Sequence, residues 1–155
     1  MRIWEAKMDG AELKPFVGIR QKVERLERII EQVPQVECPV VHHFADGMYA
    51  REMTIPAGVV LTGAIHRTEH LSTISKGRIL VTTDEGEKEI CAPHTFVSKP
   101  GAKRAGLAIE ETVWTTYHAT RETDLEKLVE ELTESTAQEL LGGPKNRQML
   151  LEKTP

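Results

Sequence analysis

Along residues 11–33, apolar side chains recur at steps of three and four: Phe16, Ile19, Val23, Leu26, Ile30 and Val33. Charged residues (Arg20, Lys22, Glu24, Arg25, Glu27, Arg28) fill the positions between them. This spacing predicts an amphipathic helix, which Pro34 ends because the residue before a proline is pushed out of the helical region. The pattern changes over residues 39–119, where short β-branched runs alternate with turn residues. Asp46-Gly47 between the runs 40–44 and 48–55 is a hairpin signal. Pro56-Ala57-Gly58, Lys76-Gly77, Asp84-Glu85-Gly86, Ala92-Pro93 and Lys99-Pro100-Gly101 mark further turns. No helical run separates the strands, so the pattern predicts a mainly β sandwich or barrel rather than βαβ units.

Helical spacing returns over residues 122–141. Thr123-Asp124-Leu125-Glu126 has the form of a capping box, and Leu125, Leu128, Val129, Leu132 and Leu140 share a face. Seven acids (Glu122, Asp124, Glu126, Glu130, Glu131, Glu134, Glu139) against Lys127 read as a solvated acidic face. Gly142-Gly143-Pro144 stops the helix, leaving a short tail with Met149, Leu150 and Leu151.

Composition narrows the class. At 155 residues, with 39% hydrophobic and 28% charged residues, the chain is expected to form one domain over residues 1–155. A net charge of −4 argues against a surface given over to nucleic acid. No apolar run approaches the ~20 residues of a membrane span. Glu5 stands where a secretory leader would be apolar, so the expected compartment is the cytoplasm. Cys38 and Cys91 lack the spacing of a disulfide framework or metal site and read as buried free thiols. Glycine-rich phosphate loops, dinucleotide fingerprints and the Gly-x-Ser-x-Gly elbow are all absent.

Candidate chemistry centres on six histidines, His42, His43, His66, His70, His94 and His118. In Ile65-His66-Arg67-Thr68-Glu69-His70-Leu71, strand parity puts His66 and His70 on one face and Glu69 on the other. On a straight strand the two rings would stand ~13 Å apart, too far to share an ion unless a bend closes the gap. Glu69 then reads as a surface carboxylate pairing with Arg67 or Arg78. His42-His43 reads as edge-strand surface, and His94, after Pro93, as exposed.

The run from Gly58 to His118 resembles the cupin superfamily, the small RmlC-like jelly-roll barrels. Their first motif is a glycine, a His-x-His pair, a glutamate three or four residues on, and a final glycine. Here Gly77 matches the final glycine, His70 falls at the glutamate and His66 at the second histidine, while Ala64 replaces the first. The second motif resembles Lys99-Pro100-Gly101-Ala102-Lys103-Arg104, with Arg104 at the last ligand position. The resemblance implies a barrel over residues 39–119 with flanking helices, and a bend at the first motif that lets separated ligands converge. Residues 92–101 and the ending Trp114-Thr115-Thr116-Tyr117-His118 look like small uncharacterised cupin-like proteins of tailed phages, which would place the protein in a host cytoplasm.

Folding residues 103–109 and 113–119 as a hairpin about Glu110 and Glu111 would bring His118 opposite residues 103–104, near the missing ligand. His66, His70 and His118 are then the candidate metal ligands. Three imidazoles with open positions suit one divalent transition metal: Zn, Fe, Ni or Cu. Arg104 would repel a cation, and an arginine beside histidines also suits a carboxylate or phosphate. Trp114 is either core or a stacking wall for a ligand.

Two functions follow. One is a barrel binding a metal ion, a small polar anionic ligand, or both, including a metal-dependent small-molecule enzyme. The other is a non-catalytic ligand-capturing or protein-interaction barrel without metal, in which Arg104, Trp114 and the histidines contact the ligand. The two amphipathic helices carry more apolar face than one small sheet would cover, which predicts a homo-oligomer with the N-terminal helix at its interface.

Overall fold

The turn residues divide the chain into strands that fall into two layers. The computed structural model describes residues 18–142 and 145–151, and all structural statements concern these. In chain order the elements are α1 (Ile19–Ile30), β1 (Val40–Ala45), β2 (Met48–Ile55), β3 (Val59–Thr62), β4 (His70–Lys76), β5 (Arg78–Thr83), β6 (Gly86–Cys91), β7 (His94–Ser98), β8 (Ala105–Ala108), β9 (Thr112–Ala119), α2 (Leu125–Leu132), α3 (Ala137–Leu140) and β10 (Gln148–Leu150). One antiparallel sheet has the order β1-β2-β9-β4-β7, and the other β10-β3-β8-β5-β6. This is a mainly β jelly roll: the strand pattern predicts the mainly β class, and the resemblance to cupins implies the jelly roll. Each expected turn joins two of these strands or closes one, with Gly47 at φ 75° in the β1–β2 hairpin.

Between the layers, Met53, Ile55, Val59, Ile74, Ile79, Val81, Ile90 and Ala108 form one buried cluster. Val23, Leu26 and Ile30 of α1 pack against Val60, Ala105 and Met149 on the outer side of the second sheet. Burial at ~1.5–3 kcal/mol per large aliphatic side chain is ample reason for α1 to dock there. The apolar face of α1 is therefore covered by its own barrel, and the expectation of an interface built on that face loses its basis. Residues 11–17 of the predicted helix lie outside the described residues.

Docking of α1 also buries charge. Glu27 Oε2 accepts hydrogen bonds from Thr62 Oγ1 (2.6 Å) and Lys103 Nζ (2.5 Å) and pairs with Arg147 (3.0 Å). Arg147 in turn pairs with Glu139 at 2.6 Å. Two acids and two bases from α1, the β7–β8 loop, α3 and the segment before β10 thus satisfy one another out of water, the condition under which buried charge is tolerated.

Four expectations need correction. First, β8 and β9 are not a hairpin: β8 pairs with β3 and β5, and β9 with β2 and β4, so residues 109–111 carry the chain from one sheet to the other. The Ile109 and Glu110 amides and the Thr112 hydroxyl all donate to the Arg78 carbonyl, fixing that crossing. Second, the helix over residues 122–141 is broken. Asp124 rather than Thr123 caps α2, accepting from the Lys127 amide, and Thr133 is extended. There Thr133 bridges to His66, while Arg67 donates to the Leu132 carbonyl and Glu134 to that of Ile65. A true capping box, Thr136 with Glu139, then starts α3. Third, the tail supplies strand β10, which extends the second sheet beyond residue 119. Fourth, Cys38 is buried but Cys91 is exposed.

Candidate metal centre

Strand register stacks the inward side chains of the first sheet in rows. Tyr49 lies opposite His118, Arg51 opposite Thr116, and Met53 opposite Trp114. On the other side of β9, Ser72 faces Thr116 and Ile74 faces Trp114. His70, two residues before Ser72, begins β4 next to His118. Along the strands the rows run from Tyr49, His118 and His70, through Arg51, Thr116 and Ser72, to Met53, Trp114 and Ile74.

His66 reaches the same place from the connection between β3 and β4. Residues 63–69 are not a strand, so the ~13 Å spacing of a straight strand does not apply. Pairing of His66 with Thr133 turns the ring inward, and the centroids of His66 and His70 are 4.2 Å apart. His118 lies 5.2 Å from His66 and 4.7 Å from His70. Each of the three offers one ligand atom within 4.8 Å of the others.

Burial, the neighbouring imidazoles and Arg51 push His66 down to about 3. Burial, His70 and Arg51 push His118 down to about 4. Burial also lowers His70. All three rings are neutral near pH 7, the state in which imidazole binds metal. His70 Nδ1 lies 3.3 Å from the Thr68 carbonyl, so as a donor there it leaves Nε2 bare. His118 Nε2 contacts Thr116 Oγ1 at 2.9 Å, and its Nδ1 is buried with no hydrogen-bond partner. A bare buried nitrogen is costly, and a metal ion would satisfy it. The donor set therefore fits a divalent transition ion.

The surrounding cavity, about 170 Å³, contains the three histidines together with Arg104 and Trp114 in its walls. Arg104 lies over the Phe96 ring at 5.5 Å, and Trp114 meets the same ring edge-on at 5.8 Å. Trp114 thus belongs to the core cluster and to the cavity at once, and its buried indole N–H has no acceptor. Of the other candidates, His43 is exposed and pairs with Glu52, and His94 is exposed and stacks on Phe96. Glu69 is a surface carboxylate, but its partner is Lys99 rather than Arg67 or Arg78.

Two features of the site are absent from the sequence reading. Arg51 faces the cavity with the same parity as Tyr49, Met53 and Ile55; a charged residue on an otherwise apolar strand face was the available signal. The second is the covering of the cavity by Leu125, Leu128, Leu132 and Leu140 of α2 and α3. The leucine face of the predicted C-terminal helix was legible, but not its destination.

No protein-family model and no curated protein matches the chain. Among solved structures, a cupin-2 domain protein from Shewanella frigidimarina is 10% identical, with a TM-score of 0.44 over 57% of this chain and 84% of that one. A cupin domain from Bordetella pertussis is 13% identical, with a TM-score of 0.44 over 57% and 98%. A cupin superfamily protein from Desulfitobacterium hafniense is 14% identical, with a TM-score of 0.47 over 70% and 98%. In fold, the chain is similar to cupin-domain proteins.

Proposed function

We propose that the protein is a cupin-like barrel that binds one divalent transition metal through His66, His70 and His118 and holds a small polar or anionic molecule beside it. One observation carries this reading: three neutral imidazoles from the β3–β4 connection, β4 and β9 present ligand atoms within 4.8 Å of one another. An ion on three imidazoles keeps positions for water or a ligand and acts there as a Lewis acid. The chain's own part is to hold the three rings, to place Arg104 where it attracts a ligand's negative charge, and to exclude water with the leucines of α2 and α3. The phage setting suggested by residues 92–101 and 114–118 belongs to this proposal.

A second reading is a metal-free barrel that captures an anion or a partner without catalysis. The presence of Arg104 and Arg51 in the same cavity favours it, since both repel a cation. Metal analysis of protein purified without a His tag or chelator separates the two. Near-stoichiometric metal, lost in folded His66→Ala and His118→Ala, supports the first reading. Folded protein that neither carries metal nor takes up added Zn, Fe or Ni supports the second.

A further inference from the structure

The row beneath the histidines has a chemistry of its own. Arg51 of β2, Thr116 of β9 and Ser72 of β4 lie side by side by register and all line the cavity. Arg51 donates one hydrogen bond, 3.2 Å to the Leu140 carbonyl of α3, and among the described residues no carboxylate pairs with it. A guanidinium has five N–H donors, so most of its capacity is unused by that bond. The remaining charges of the cavity are accounted for: Glu139 pairs with Arg147, and Lys99 with Glu69. Arg104 has no ion-pair partner among the described residues, and Asp84 acts on it only at a distance. The cavity therefore holds two arginines with no ion-pair partner among the described residues, while the acid in its lining, Glu139, is taken up by Arg147.

The hydroxyls extend this receptor. If His118 Nε2 donates to Thr116 Oγ1, the Thr116 hydroxyl proton is free to donate onward. Ser72 Oγ lies 3.1 Å from Ser98 Oγ, and either can be the donor. Below this row on the same sheet are Met53, Ile55 and Trp114, and Leu61 of the other sheet also lines the cavity. A charged head among donors above an apolar floor selects an amphipathic anion. Size narrows it further, because an apolar protein cavity of ~150 Å³ accommodates benzene.

We infer that Arg51, with Thr116 and Ser72, is the receptor for the carboxylate of a small molecule whose apolar body, no larger than about a single aromatic ring, rests on Met53 and Trp114. The carboxylate takes up the guanidinium donors that the Leu140 carbonyl leaves free, a planar match that a fork of N–H groups makes well. This deepens the reading of the cavity as a ligand site and is independent of the metal, since Arg51 is not a ligand to it.

The test is calorimetric titration of the purified full chain with acetate, butyrate, hexanoate and benzoate, and with benzamide as the uncharged counterpart of benzoate. Each is run on metal-loaded and on chelator-treated protein. The expected result is binding of benzoate or hexanoate at least tenfold tighter than benzamide, weakened at least tenfold by Arg51→Gln and less by Arg51→Lys, with the metal content of both variants unchanged. Thr116→Val, which leaves the guanidinium in place, is expected to weaken carboxylate binding several-fold. Failure of every carboxylate to bind, equal binding of benzoate and benzamide, or wild-type affinity in a folded Arg51→Gln would overturn the inference. Loss of the metal reading alone would appear as metal-free protein that still binds carboxylate through Arg51.

Discussion

His66 and His118 stack with their ring centroids 5.2 Å apart and their planes 11° from parallel, although one comes from an irregular connection and the other from a strand. Two separate pairings produce this contact. Thr133 holds His66 from the C-terminal side of α2, and the β2–β9–β4 register holds His118. The site depends on the C-terminal segment as much as on the barrel.

Acid should destabilise the metal-free protein through these rings. An unfolded histidine titrates near 6.5, whereas His66 and His118 are pushed down to about 3 and about 4. Between those values the unfolded chain binds more protons than the folded one, so stability falls as pH falls from about 6.5 towards 4. Urea midpoints at about pH 7 and about pH 5 should drop more for wild type than for His118→Gln. Equal drops would show that burial of His118 contributes nothing to the acid sensitivity.

Gly77 marks the place where the chain passes from β4 to β5 and changes sheets. Its φ is +84°, and a Cβ there would stand 2.0 Å from the Glu111 carbonyl oxygen, in the other sheet crossing. Gly101 has a similar φ of +81° with nothing within 4 Å. Both alanine variants carry left-handed strain of about 1–2 kcal/mol, but only Gly77→Ala adds a collision with backbone. Chemical denaturation should show Gly101→Ala losing about 1 kcal/mol and Gly77→Ala losing several, or failing to fold. Similar losses in the two would refute the steric account.

The charge cluster at Glu27 gives a third expectation. Lys103 and Arg147 have 3% and 8% of their side-chain surface exposed, so removing the carboxylate leaves the buried Lys103 without a counter-charge beside Arg147, which keeps only Glu139. Glu27→Gln should cost about 3–5 kcal/mol, read as a lowered denaturation midpoint. A loss within that of an ordinary surface change, about 0.5 kcal/mol, would mean the network contributes little.

How much of this was legible depends on whether the signal is local. The strands, their turns and α1 follow from periodicity and turn chemistry, which neighbouring residues determine. His118 was singled out through a β8–β9 hairpin that does not form, and it reaches the site instead because β9 lies between β2 and β4. The break at Thr133 comes from pairing with residues 65–67 and is beyond any local pattern; the capping box of Thr136 and Glu139 is a local signal that the reading of one helix over residues 122–141 passed over. Glu27 lies four residues after Val23, at the margin of the apolar stripe of α1. Its burial is set by Lys103 and Arg147, which only the folded chain brings to it.

The most direct test of the three-histidine centre is anomalous X-ray diffraction from crystals of the full chain grown with Zn or Co, collected on both sides of the metal's absorption edge. The account predicts one strong peak per chain at ~2.0–2.2 Å from one ring nitrogen of each of His66, His70 and His118. It also predicts that the peak vanishes in His118→Ala crystals. A metal peak elsewhere on the chain, or none between the three rings in well-ordered crystals, would contradict it.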